Sequence, residues 1–484
     1  MIRVNDSFIA KLTQGSGLLL VANVLSKVLA ILILPLLTGL LPPALYGEAA
    51  LAGTLISLAS VIALAGMDIS YARAFFGDKD ITGSQVEAMI WRRGMWHALL
   101  AGIVAALAWT AYSRFDSSLH PELAALIALG VFGTLFSALA QVRARLLGHY
   151  LRMALGVLFA SVLAYGLMYV FALRSSTSAY ALVAGSVLLV WVTGLAMQSP
   201  GLLRLAANAS PADSTASRKV LAVGLPVMLT APAFWVVSSV DRWFLGATGT
   251  TSEVGIYAIG VSFGTLGMML NSAVLSAWVP EVIREYETNA VDPYKEVGQA
   301  KSLLVLAYAM VWMTITVLSP ELIGLFVNSR YQGAVDVVPW IAAGVFFYGC
   351  AHLFNTVFLL ERRLGITALI WSVAVVLSLV CNAWAVPRFG MMGAAMVQCL
   401  VFAGVAVMHW LFSRKIKRIH VFNPTLLLQL SVIVLIGWAG YQWHPADIFL
   451  AIIVKICILA LLLGLMFWSK FRNSDAVNTR QSPT

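Results

Sequence analysis

Apolar runs long enough to cross a bilayer recur fourteen times along this chain, at 15–40, 48–67, 95–112, 123–141, 153–173, 179–197, 220–243, 255–280, 302–319, 336–360, 364–386, 391–413, 425–443 and 447–468. Hydrocarbon offers no water to satisfy a backbone amide, so runs of this length without strand-like alternation cross it as helices. With 61% hydrophobic and 11% charged residues over 484 positions, the composition excludes a soluble domain, whose charged share would be roughly a quarter. The expected fold is all-α and integral to a membrane, with about fourteen transmembrane helices.

A formal charge of +10 raises the question of nucleic acid. The basic residues, however, stand in short groups between apolar runs, which is the pattern of membrane topology rather than of phosphate readout, and no nucleic-acid partner is expected. With the N-terminus placed inside, most of the 31 lysines and arginines fall on the inner side. Only Arg114, Arg174, Arg242, Arg330 and Arg388 fall on the other, and Lys27 and Lys455 lie within spans. That bias predicts a multi-pass protein of a bacterial inner membrane with both termini cytoplasmic. The run after Met1–Gln14 is too long for a signal-peptide core and is expected to be retained. Cys350, Cys381, Cys399 and Cys457 sit inside apolar runs without ligand spacing, so they read as packing residues, and no metal or other cofactor is expected.

The Ala-, Ser- and Pro-rich stretch Pro200–Lys219 reads as a cytoplasmic linker. It separates an N-terminal lobe of six spans, 1–199, from a C-terminal lobe of six more, 220–413. A basic loop and two further spans occupy 414–468, and 469–484 is a polar tail expected to be disordered. Tyr46-Gly47 opens the second span and Val254-Gly255-Ile256-Tyr257 the eighth, a weak internal repeat. Two six-helix halves running in the same direction would place a substrate path between them.

Lys27 is the first candidate for that path. At ~1.5 Å per residue it lies about 18 Å into its helix, near the middle of a hydrocarbon layer roughly 30 Å thick. Ser16, Asn23, Lys27 and Thr38 fall within about 60° of one another on a helical wheel, a polar stripe on an otherwise apolar helix. A mid-membrane ammonium implies a hydrated cavity or a partner. Asp241 and Arg242 end the seventh span; Arg242 is a candidate phosphate contact or outer gate, and Asp241 a candidate counter-ion for Lys27. Asp68, closing the second span, and Arg73, one turn later, form a candidate cytoplasmic gate. A carboxylate in a desolvated lumen can take up and release a proton, so Asp68 and Asp241 are the candidates for ion coupling. Asn271, with Thr265, Ser272 and Ser276 nearby, and His352 with Asn355 and Thr356 are candidate sugar contacts. Gln398 and His409 share a face of the twelfth span. Against these stands the commoner role of buried Ser, Thr and Asn, which is to bond neighbouring helices. Lys455 is expected to pack against the thirteenth span or to meet a lipid phosphate.

Two blocks, GSGLLLVANVLSKVLAILILPLLTGLLPPALYGEAAL from Gly15 and SSVDRWFLGATGTTSEVGIYAIG from Ser238, resemble the polysaccharide-flippase branch of the MOP (multidrug/oligosaccharidyl-lipid/polysaccharide) exporter superfamily, the O-antigen flippases of the Wzx type being nearest. The resemblance covers most of residues 10–415. It implies a V-shaped pair of six-helix lobes that carries a lipid-linked oligosaccharide from the cytoplasmic to the periplasmic leaflet by alternating access, commonly driven by an ion gradient. Such cargo bears a diphosphate, and the resemblance implies a cationic lumen to receive it. The expected role is thus translocation of a polyprenyl-diphosphate-linked glycan, an O-antigen or exopolysaccharide repeat unit. Lys27 would meet the diphosphate centrally and Arg242 and Arg73 at the two ends, with Asn23, Asn271, His352 and Asn355 around the remainder. Expected partners are that glycan lipid, membrane lipids, and a polysaccharide polymerase or glycosyltransferases. A cation-coupled multidrug exporter would favour an acidic lumen. A polymerase or ligase of the same pathway would need a large periplasmic loop with an acid/base cluster, and the sequence has none; the chain is not expected to be an enzyme.

Overall fold

The computed structural model describes residues 6–77, 82–116, 118–174, 179–198, 224–288, 293–361, 363–416, 424–443, 445 and 447–478. Among them the regular structure is helical: α1 (Asp6–Leu40), α2 (Pro43–Leu64), α3 (Met67–Gly77), α4 (Gly83–Tyr112), α5 (Leu123–Leu146), α6 (Tyr150–Arg174), α7 (Tyr180–Met197), α8 (Leu225–Ser239), α9 (Asp241–Thr248), α10 (Thr251–Gly264), α11 (Gly267–Thr288), α12 (Pro293–Phe326), a 3-10 turn at Ser329–Tyr331, α13 (Ala334–Leu360), α14 (Leu364–Ile416), α15 (Pro424–Gln442) and α16 (Ile448–Asn478). The linker expected at 200–219 lies outside the described residues.

Ten of these helices are long and apolar enough to cross a membrane, or eleven if the pair α10 and α11, bent by 43°, is one span. The count of fourteen is not reached, for local reasons. The runs 364–386 and 391–413 both lie in α14, which is two helices meeting at a kink at Gly390, a residue with the non-helical angles φ 53° and ψ -134°, and which counts once among the ten. The described part of the run 220–243 falls on the short pieces α8 and α9, and the run 447–468 falls on α16, of which Ile448–Gly464 is a shorter apolar helix among the described residues.

The chain divides into two compact units, Met1–Ala258 with Trp371–Met391, and Ile259–Ile370 with Met392–Thr484. In the first, α5 packs between α4 and α7, α6 lies against α1 and α7, and α2 runs beside α4 and α5. Its core joins α2 and α3 to α4, α5 and the start of α6 through Met67, Tyr71, Ile90, Trp91, Leu135, Leu139 and Met153. α2 stops because Ala65 and Gly66 both take left-handed φ values, 46° and 70°, and α3 restarts at Met67. In the second unit α12 is central, flanked by α11, α13, α15 and α16, with Ala309, Met310 and Met313 packed against Ile433 and Leu459.

Candidate functional site

On α1 the polar stripe divides into an open and a closed part. Asn23 and Lys27 are exposed, while Thr38, on the same stripe, is fully buried beside Leu37. The rotation of the helix is set by α6, where Ser26 Oγ lies 2.6 Å from Ser161 Oγ. Lys27 is about 100° round the helix from Ser26, so this seam turns the ammonium away from α6. It has no ion-pair partner among the described residues.

Asp241 and Arg242 open α9. The Asp241 carboxylate is buried and accepts hydrogen bonds from the Tyr257 hydroxyl at 2.5 Å and from the Arg242 amide at 2.8 Å. Its partners are therefore local, and Lys27 is not among them. Arg242 is half-buried with its Nε unpartnered. Tyr257 rides on α10, whose Gly255 faces Gly47 of α2 so closely that a Cβ on either glycine would overlap the other helix's backbone, at Thr251 O or Pro43 O. The two segments that look like repeats of each other thus cross backbone on backbone. One residue on, the buried Glu48 accepts from the His120 amide at 2.5 Å and lies 2.8 Å from His120 Nδ1, and Trp109 donates to the His120 carbonyl at 3.0 Å.

On α3, Asp68 is half-buried with Oδ1 unpartnered, and Arg73 is exposed. The helix is tied down between them by Tyr71, which is fully buried and donates to Glu87 of α4 at 3.0 Å; Arg143 of α5 donates to the same carboxylate oxygen. At its start, Gly66 abuts the backbone of Gly224, just before α8.

In the second unit, Asn271 is buried and its Oδ1 accepts from Tyr308 at 2.9 Å. The His352 ring stands edge-on to Tyr348, centroids 4.5 Å apart, with Nε2 unpartnered, and Asn355 accepts from Thr367 at 2.6 Å. Thr265 and Ser272 bond back to their own helices, at Val261 O and Met268 O. His409 Nδ1 lies 2.8 Å from Val405 O. The Ser276 side chain lies outside the described residues. The Lys455 ammonium, expected against the thirteenth span or a lipid phosphate, is instead buried against Glu321 Oε1 at 2.5 Å and Val317 O at 3.0 Å on α12. Sequence reasoning missed this pair, the Tyr71–Glu87–Arg143 set and the Glu48–His120 contact. Only the Tyr71–Glu87 spacing of 16 residues was near enough to notice, and no helical periodicity flags it. Among the described residues, no group of three or more His, Cys, Asp or Glu is placed to hold a metal.

Among the described residues the all-helical frame, with ten or eleven helices long and apolar enough to cross a bilayer, defines a multi-pass membrane protein. Its fold is that of "Lipid II flippase MurJ, inward closed conformation", with a TM-score of 0.68 at 11% identity over 93% of this chain and 99% of that one. It is also that of "a multidrug resistance MATE family transporter of the MOP superfamily" in its inward-facing conformation, with a TM-score of 0.60 at 14% identity over 84% and 95%. A mutant form of the Vibrio cholerae MATE transporter VcmN follows with a TM-score of 0.58 at 15% identity over 85% and 98%. Residues 12–285 match the family described as polysaccharide biosynthesis protein, and the chain belongs to that family. No curated protein matches it in sequence.

Proposed function

We propose that the chain is a flippase of a bacterial inner membrane that carries a polyprenyl-diphosphate-linked oligosaccharide between leaflets by alternating access. Membership of a polysaccharide biosynthesis family supplies the pathway, and the MOP fold supplies a frame built for moving cargo across a bilayer. The observation that carries the reading is a contrast between two lysines. Lys455 is buried and neutralised by Glu321, as a structural ammonium in hydrocarbon must be. Lys27 is exposed, mid-span and without an ion pair among the described residues, so its charge remains for an anion that arrives with the cargo. A diphosphate crossing a low-dielectric layer needs such a cation part-way. In this reading Asn23 adds a neighbouring amide. Arg242, with its unpartnered Nε, and the exposed Arg73 receive the phosphates at the two ends. Asn271, His352 and Asn355 meet the sugars, and Asp68 and Asp241 bind the coupling ion.

The test is Lys27→Ala beside Lys27→Arg, each checked for normal membrane level. A lost charge-assisted contact of about 1.5–3 kcal/mol lowers flux by roughly tenfold or more. Surface polysaccharide should therefore fall in Lys27→Ala and its lipid-linked precursor accumulate, with Lys27→Arg largely restored. Full polysaccharide output from Lys27→Ala overturns the reading.

A further inference from the structure

Along the outer side of α6 and α7 runs an apolar groove of about 390 Å³, walled by Leu151, Leu155 and Phe159 and floored by Gly156 and Ala196. The three wall residues are more than half exposed and stand four apart, so they line one face of α6 over about 12 Å. Exposed leucines are ordinary on a membrane protein. What sets this stretch apart is the residue at one end of its shallow, open groove. Arg152 donates from Nε to Ala196 O at 2.8 Å and from Nη2 to Gln198 O. These carbonyls belong to the end of α7, where backbone acceptors have no partners within the helix and a cation is favoured. The guanidinium is thereby fixed in position. It has five N–H groups, two of them used, so the rest stay available to an oxyanion. The bias of Lys and Arg puts this end of α6 on the cytoplasmic side, at the depth of lipid headgroups.

We propose that the α6–α7 groove binds an anionic phospholipid of the cytoplasmic leaflet, with one acyl chain along Leu151, Leu155 and Phe159 and the headgroup phosphate on Arg152. The groove supplies apolar contact and a polar anchor at one end only, the charge pattern that an acyl chain with an anionic headgroup complements. The site is independent of the transport reading, and its test measures lipid retention rather than flux.

The experiment is native mass spectrometry of the full chain released from detergent in the presence of phosphatidylglycerol or of zwitterionic phosphatidylethanolamine. Wild type is expected to keep one phosphatidylglycerol adduct at energies that strip phosphatidylethanolamine. Arg152→Gln should weaken that adduct about fivefold, the worth of one basic side chain near an anionic surface. Because Arg152 also holds the end of α7, a second variant leaves it in place: Leu155→Trp fills the groove and should remove the adduct with the thermal unfolding profile unchanged. Equal retention by wild type and Leu155→Trp overturns the proposal. So does equal retention of the anionic and zwitterionic lipids, or displacement of phosphatidylglycerol by an equimolar polyprenyl phosphate.

Discussion

Single residues in this protein divide by whether their charge is spent inside the fold. Lys455 with Glu321, and Arg143 with Glu87, are spent: each pair is buried and each would leave an uncompensated ion if cut. Lys455→Met should therefore destabilise the chain by about 3–5 kcal/mol, read as a fall in detergent-solubilised melting temperature. The double change Lys455→Met with Glu321→Leu should recover most of the loss, since replacing both partners of a buried pair is often neutral. Lys27→Ala should leave the melting temperature where it is while transport falls; a drop equal to that of Lys455→Met would assign Lys27 a structural role. The sequence made Lys27 conspicuous, because an ammonium in the middle of an apolar run needs no partner to be noticed. It could not show that Lys455 was satisfied, since its carboxylate lies 134 residues away on another helix. Asp241 is the converse case. Its place at a span end was legible, whereas the Tyr257 hydroxyl that fixes it depends on how α9 and α10 fold over each other.

At the scale of elements, the crossing of α2 and α10 at Gly47 and Gly255 is the tightest approach described. A methyl group on either glycine must push the helices apart, at a cost of about 1–3 kcal/mol to the arrangement described here. Gly47→Ala should thus make Thr251→Cys, buried at the crossing in the parent, react faster with a membrane-impermeant maleimide, and transport should drop with it. Unchanged labelling would show that the crossing adjusts without opening. Both glycines were visible as members of a weak repeat, and their contact was not, because repetition in a sequence does not say that the copies touch. The break between α2 and α3 was hidden for a related reason. Ala65 carries no turn signature, and its left-handed conformation is sustained by Gly66 beside it and by the Tyr71 anchor beyond. In α14, by contrast, the gap between the runs 364–386 and 391–413 falls at the kink, where Gly390 leaves the helical conformation and separates two helices.

For the whole molecule, the family is one of polysaccharide biosynthesis and the fold is shared with membrane transporters, and the proposed substrate class is the point to test. A strain lacking the gene should lose polymerised surface polysaccharide and keep its resistance to cationic dyes and antibiotics. Hypersensitivity with intact polysaccharide would favour drug export instead. The all-helical, membrane-spanning character was legible in the long apolar runs, since hydrocarbon demands them of any crossing helix. Which helices hold one another was not written there. The Lys455–Glu321 pair shows why that matters for how the chain survives biogenesis. Glu321 is inserted into the membrane long before Lys455 has been synthesised, so a nascent chain carries an unmet acidic group until α16 docks. A premature stop after α15 would leave that defect permanent and mark the product for membrane proteases, which makes the arrival of α16 a checkpoint on synthesis.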